Sequence, residues 1–222
     1  MDSPALPESL LLVALDDRKG TVHPAAFGAI DHGLRGAVLA ELRFRGGART
    51  HGGSIRRQEP SEAERARLRA GGEGEASAVL SACWAAVEHA PSPAPVASWL
   101  ATLEQGVPFL RRDLGAELGM RGVLAAPDPA QAALPGRGVL PLADVRAEAG
   151  VLRVLRDQVR NPGGLDPRLG TLIALVEACG LLDVAFAEAE RTSARAIALR
   201  VAEKDSIVPA VREAIARSQG TW

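Results

Sequence analysis

The residues of this 222-residue chain that could carry chemistry are few and scattered. His23, His32, His51 and His89 have no second metal-type residue at helical spacing. His32 follows Asp31, yet adjacent residues on a helix point in different directions. Cys83 and Cys179 lie far apart, each in an apolar run. That pattern suits buried free thiols in a reducing compartment and makes no zinc set. No HExxH, GxxxxGK, GxSxG or CxxC pattern occurs. The nearest thing to a phosphate loop, Gly71-Gly72-Glu73-Gly74, lacks a preceding strand and carries a carboxylate that would repel phosphate. Asp16-Asp17 reads as a helix end rather than an acid/base pair. Enzyme chemistry has no constellation to stand on, so no catalytic residue, metal or cofactor is expected.

What remains is arginine. Among the 26 basic residues only Lys19 and Lys204 are lysines, and the guanidinium is the better fork for phosphate oxygens. The same bias follows from a high-GC genome and hints at a bacterial source. The formal net charge of -1 gives no global pull toward nucleic acid or an anionic membrane, so any attraction is local. Three places concentrate it. Arg35 sits on the flank of an apolar stripe, between Gly33 and Gly36. Arg111 and Arg112 fall in the first turn of a helix that Pro108 is expected to open. Cations there oppose the helix dipole by about 0.3–1 kcal/mol, and beside free N–H groups they make better sense with an anion bound. Asp113 offsets part of the mismatch. Finally, Leu42 to Gln58 holds no acidic residue but contains Arg43, Arg45, Arg49, Arg56, Arg57 and His51. It reads either as a solvated charged loop or as a basic edge facing phosphate head groups, where each arginine contributes about 1 kcal/mol.

These residues need elements to hold them. Ile30, Leu34, Ala37, Val38 and Leu42 recur at helical spacing, predicting a buried central helix from about Ala25 to Arg45. Two glycines inside a helix cost roughly 0.5–1 kcal/mol each against alanine, so Gly33 and Gly36 imply close approach of another helix. The nearly all-apolar run Leu169 to Phe186, started by Asp166-Pro167 and broken near Gly180, is the expected partner. Further helices are expected over Glu8–Leu15, Ser61–Ala70, Glu75–His89 (buried side Val79, Leu80, Cys83, Trp84 and Val87), the Trp99 region, Val145–Val159, Thr192–Val201 and Ser206–Arg217. Val139–Leu142 is a candidate strand of a short hairpin, and the glycine-broken Leu42–Gln58 stretch a weaker one. The fold class is therefore mainly α: a single-domain helical bundle over residues 1–222 around the central helix, with a short β-hairpin component. The N-terminal MDSPALPESLLLVALDD lacks a basic n-region, so no secretory signal is expected, and no stretch has transmembrane length.

Three pieces in register resemble the Golgi phosphoprotein 3 family, which has many bacterial members. They are Leu10-Leu11-Leu12-Val13-Ala14-Leu15-Asp16-Asp17-Arg18-Lys19-Gly20, then Gly33-Leu34-Arg35-Gly36-Ala37-Val38-Leu39-Ala40-Glu41-Leu42, and Asp166-Pro167-Arg168-Leu169 through Leu181-Leu182-Asp183-Val184-Ala185-Phe186. The resemblance implies a peripheral membrane protein on the cytoplasmic face that binds phosphatidylinositol 4-phosphate or a similar anionic lipid head group. The alternative it implies is an adaptor for cytosolic tails of membrane enzymes such as glycosyltransferases, one that no longer binds lipid. The family's pocket combines a tryptophan, one arginine of the central helix and two at the start of a later helix. Arg35 matches the first arginine and Arg111 one of the later pair; Pro108 occupies the other place, with Arg112 as the nearest substitute. The tryptophan position falls near Ala26, leaving Phe27 as the only aromatic beside it. The family's self-association hairpin would fall within Ala125–Asp144, so a homo-oligomer is an open expectation.

Overall fold

The computed structural model describes residues 4–16, 20–59, 61–69, 77–125 and 145–220. The central helix, α2 (Ile30–Phe44), is buried at every residue from Gly33 to Leu42. A helix apolar on nearly all sides needs neighbours on all sides. It packs against α1 (Leu6–Ala14), α4 (Ala78–Glu88), α5 (Val96–Gly106), α6 (Leu110–Met120), α8 (Pro167–Ala178) and α11 (Ile207–Gln219). The glycines explain how so many fit. A Cβ on Gly33 would collide with Cys179 Sγ and lie 3.3 Å from Leu10, and one on Gly36 would collide with Val211. Small residues thus let the end of α8 and the side of α11 reach the α2 backbone.

Between these, α3 (Glu62–Arg69) covers α4, while α7 (Val145–Arg160), α9 (Leu182–Ala185) and α10 (Glu188–Lys204) complete the C-terminal half. Asp166 caps α8 as expected, its carboxylate accepting the N–H groups of Arg168 and Leu169 at 2.8 and 2.9 Å. Gly180, at φ +75, breaks the apolar run between α8 and α9. The α4 side predicted to be buried is the buried one, with Val79, Leu80, Cys83, Trp84 and Val87 all in the core.

One buried charge cluster fastens the bundle. Glu41 of α2 is fully buried, and its carboxylate accepts the Leu6 N–H at 2.9 Å, Arg45 at the C-cap of the same helix, and Arg168 of α8 at 2.7 and 3.0 Å. A buried carboxylate is tolerable only when its lone pairs are satisfied, and these are.

The strands are short. β1 (Leu15–Asp16) pairs antiparallel with β2 (Thr21–Val22), and β3 (Ala48–His51), β4 (Ser54–Arg57) and β5 (Ala94–Pro95) form an antiparallel sheet in that order. The basic Leu42–Gln58 stretch is therefore an ordered hairpin, not a loose loop. Its glycines fall outside the strands: Gly52 and Gly53, at φ +54 and +81, make the two-residue turn, and Gly47 packs where a Cβ would meet Leu68 at 2.6 Å.

Two starts differ from expectation. α2 begins at Ile30 rather than Ala25, because Pro24–Ala26 forms a separate 3₁₀ turn capped by His23. α6 begins at Leu110 with Phe109 as its N-cap, so Pro108 lies just outside the helix instead of opening it. Arg111 and Arg112 remain in its first turn. The Val139–Leu142 strand, the self-association hairpin, the Gly71–Gly74 breaker and Asp17 lie outside the described residues.

Candidate functional site

The site grows from the first two turns of α2. Arg35 lies four residues after Asp31 and three after His32, so it neighbours each of them on the helix surface. Asp31 is exposed and His32 half-buried, while Arg35 is only 7% exposed because the helix core carries it inward. The last turn of α5 contributes Glu104, and the first turn of α6 contributes Arg111.

Two ion pairs span these helices, and both are long. Arg35 Nη2 lies 3.6 Å from Glu104 Oε1, and Arg111 Nε lies 3.5 Å from Asp31 Oδ1. Both exceed the 2.7–3.2 Å of a formed N–H···O hydrogen bond. The Glu104 side chain is 57% exposed, so water competes for it. Arg35 makes no hydrogen bond among the described residues, and its buried Nε has no acceptor. An unsatisfied buried polar group costs about 1–3 kcal/mol, more when it is charged. By contrast Glu41, equally buried, has its acceptors filled. The bundle satisfies the buried Glu41 carboxylate, whereas Arg35 Nε, like Arg121 Nε and Asp205 Oδ2, has no hydrogen-bond partner.

The sequence singled out Arg35, Arg111 and Arg112, and the structure treats them differently. Arg35 and Arg111 both come to the N-terminal turns of α2, one by position and the other through Asp31. Arg112 is turned to its own helix, bonded to Asp113 at 2.9 Å and stacked 4.4 Å over the Phe109 ring. A carboxylate accompanies each of Arg35 and Arg111, so the face is charge-balanced rather than bare. Sequence reasoning missed that Asp31 and Glu104 face the arginines, and that His32 belongs with them. The Asp31–Arg35 spacing was a readable signal; nothing local marked Glu104.

Exposed aromatic residues precede the two helices that carry the arginines. Ala26, where the family resemblance puts a tryptophan, is fully buried, whereas Phe27 is 64% exposed just before α2. Phe109, which precedes α6, is 59% exposed. The Arg111–Asp31 pair ties the first turns of these two helices together, so Phe27 and Phe109 both precede helix starts that lie side by side.

The electrostatics of His32 report this crowding. Burial first, then Arg35, holds its imidazole below the ordinary value; Glu104 and Asp31 pull the other way, and Arg217 of α11 adds to the lowering. Burial also pushes the Cys83 and Cys179 thiols up to about 12, which removes both as nucleophiles. Among the described residues no group of histidine, cysteine or acidic side chains is placed to hold a metal.

The basic hairpin is a separate feature. Arg43 binds Asp205 at 2.8 Å, Arg45 binds Glu41, and Arg57 donates to the Glu88 and Ala90 carbonyls. Only Arg49 and Arg56, opposite one another across the strands, point outward without a carboxylate partner among the described residues.

No helix among the described residues is long and apolar enough to cross a membrane. No curated protein matches the sequence. The family model for Golgi phosphoprotein 3 (GPP34) matches residues 6–218, which include every element described above except the ends of the chain. The chain therefore belongs to the Golgi phosphoprotein 3 family.

Proposed function

We propose that this protein is a peripheral membrane-binding module whose α2–α5–α6 face takes the phosphate of an anionic lipid head group. The observation that carries the reading is Arg35: a guanidinium buried to 7% exposure with no hydrogen-bond acceptor and only a long contact to a solvent-facing carboxylate. A phosphoryl oxygen is the acceptor that guanidinium geometry suits. Arg111 supplies a second donor once it leaves Asp31, and Phe27 and Phe109 offer apolar rings to the lipid interface, where aromatic side chains are favoured. Each charge-assisted contact is worth about 1.5–3 kcal/mol, so two give weak, reversible recruitment. The acids at the site keep the free protein from sticking to every polyanion.

Co-sedimentation with vesicles tests this. The protein should bind phosphatidylglycerol-containing vesicles, release them at high salt, and ignore pure phosphatidylcholine. The double variant Arg35→Ala with Arg111→Ala should lose binding. Equal binding to both vesicle types, or full binding by the double variant, refutes the reading. Retention of membrane-enzyme tails by that same double variant would favour the adaptor function instead.

A further inference from the structure

We propose that His32 is a third ligand-facing group of this site, and that the anionic head group is bound together with a proton taken up on the His32 imidazole. The inference rests on the head-group reading and names how that site is regulated. Its basis is position. His32 lies one turn before Arg35 on the same face of α2, half-buried, and makes no hydrogen bond among the described residues.

Charged groups reach it from three elements. The charges that act on it are Asp31 and Arg35 of α2, Glu104 of α5 and Arg217 of α11. In the free protein burial, then Arg35, disfavours the protonated imidazole and holds its pKa below the ordinary value. A phosphate drawn to Arg35 changes the balance in one direction only. It adds negative charge within reach of the ring and occupies the donors that oppose protonation. A protonated imidazole also gives Glu104 a second cation to turn to, which releases Arg35 to the phosphate.

The sign follows by linkage. The bound state holds the proton more tightly than the free state, so affinity is highest below the pKa of the liganded imidazole and falls as pH rises through it. A phosphodiester stays singly charged over this range, so the lipid's own titration does not enter. One coupled proton changes affinity at most about tenfold per pH unit.

The experiment measures binding to phosphatidylglycerol-containing vesicles at pH 6 and pH 8. The full-length protein should bind about tenfold more weakly at pH 8. His32→Gln should reduce that ratio to below about twofold, whereas His89→Asn, an exposed histidine at the end of α4, should keep it. A pH-independent affinity in the unmodified protein, or the full ratio surviving in His32→Gln, overturns this inference alone. Absence of binding at either pH overturns the head-group reading and this inference with it. A second readout needs no membrane: the His32 ring proton resonance should titrate at higher pH in soluble glycerophosphoglycerol, a phosphodiester, than in chloride. Identical titrations would count against the coupling.

Discussion

Replacing Arg35 by methionine should make the protein more stable and less able to bind anionic vesicles. The sign comes from the geometry. The favourable side is one ion pair at 3.6 Å to a carboxylate that is 57% exposed. Pairs of that kind contribute about 0–1 kcal/mol. The unfavourable side is a guanidinium whose buried Nε has no acceptor, at about 1–3 kcal/mol. Methionine keeps the apolar stem that packs in the core and removes the charge. The net gain is about 1–2 kcal/mol, in line with buried pairs replaced by apolar isosteres. For a chain of this size each kcal/mol moves the melting temperature by about 2–4 °C, so Arg35→Met should melt about 2–8 °C higher. Losing even one charge-assisted contact should weaken vesicle binding at least about tenfold. Thermal melts by circular dichroism and vesicle sedimentation on the same sample read both quantities. A variant that melts several degrees lower would refute the reasoning, since Arg35 would then be an ordinary structural ion-pair partner.

Other residues give further tests. Glu104→Gln removes the competing carboxylate, so it should tighten vesicle binding about fivefold while lowering the melting temperature by roughly 2–4 °C; loss of binding would show that Glu104 contacts the ligand. Gly33→Ala should destabilise by about 1–3 kcal/mol through collision with Cys179 Sγ, and Cys179→Ala in the same chain should restore most of the loss in thermal melts. Additive losses would mean that the backbone, not the sulfur, limits the approach. With both thiols pushed up to about 12, a colourimetric thiol reagent at pH 8 should label neither Cys83 nor Cys179 in the native protein and both in denaturant. Rapid labelling of the native protein would contradict their burial.

The helical framework was readable because burial imposes a period on local sequence. The inward side of α4 and the closeness implied by Gly33 and Gly36 both followed from spacing alone. So did the Asp166-Pro167 start of α8, since a cap is a contact between residues only two or three apart. The start of α6 was misjudged because proline is favoured just outside a helix as well as in its first turn. The hairpin was undervalued because glycine count says nothing about glycine position, and here Gly52 and Gly53 form the turn. At the site, Arg35 was legible as a charge in the wrong place on an apolar helix. Its partner Glu104 was not, because a pair separated by 69 residues leaves no local pattern. The same holds for the Arg43–Asp205 and Arg168–Glu41 pairs, which use up arginines that composition alone makes look available.

The central claim is that the Arg35 guanidinium takes its missing acceptor from a phosphate group. The Nε–Hε resonance of Arg35, assigned by its loss in Arg35→Met, reports that hydrogen bond directly. Titration with soluble glycerophosphoglycerol should shift it downfield to saturation, with little change at Arg43 or Arg168, whose carboxylate partners lie within 2.8 Å. An Arg35 resonance that stays fixed while the protein binds anionic vesicles would contradict the account.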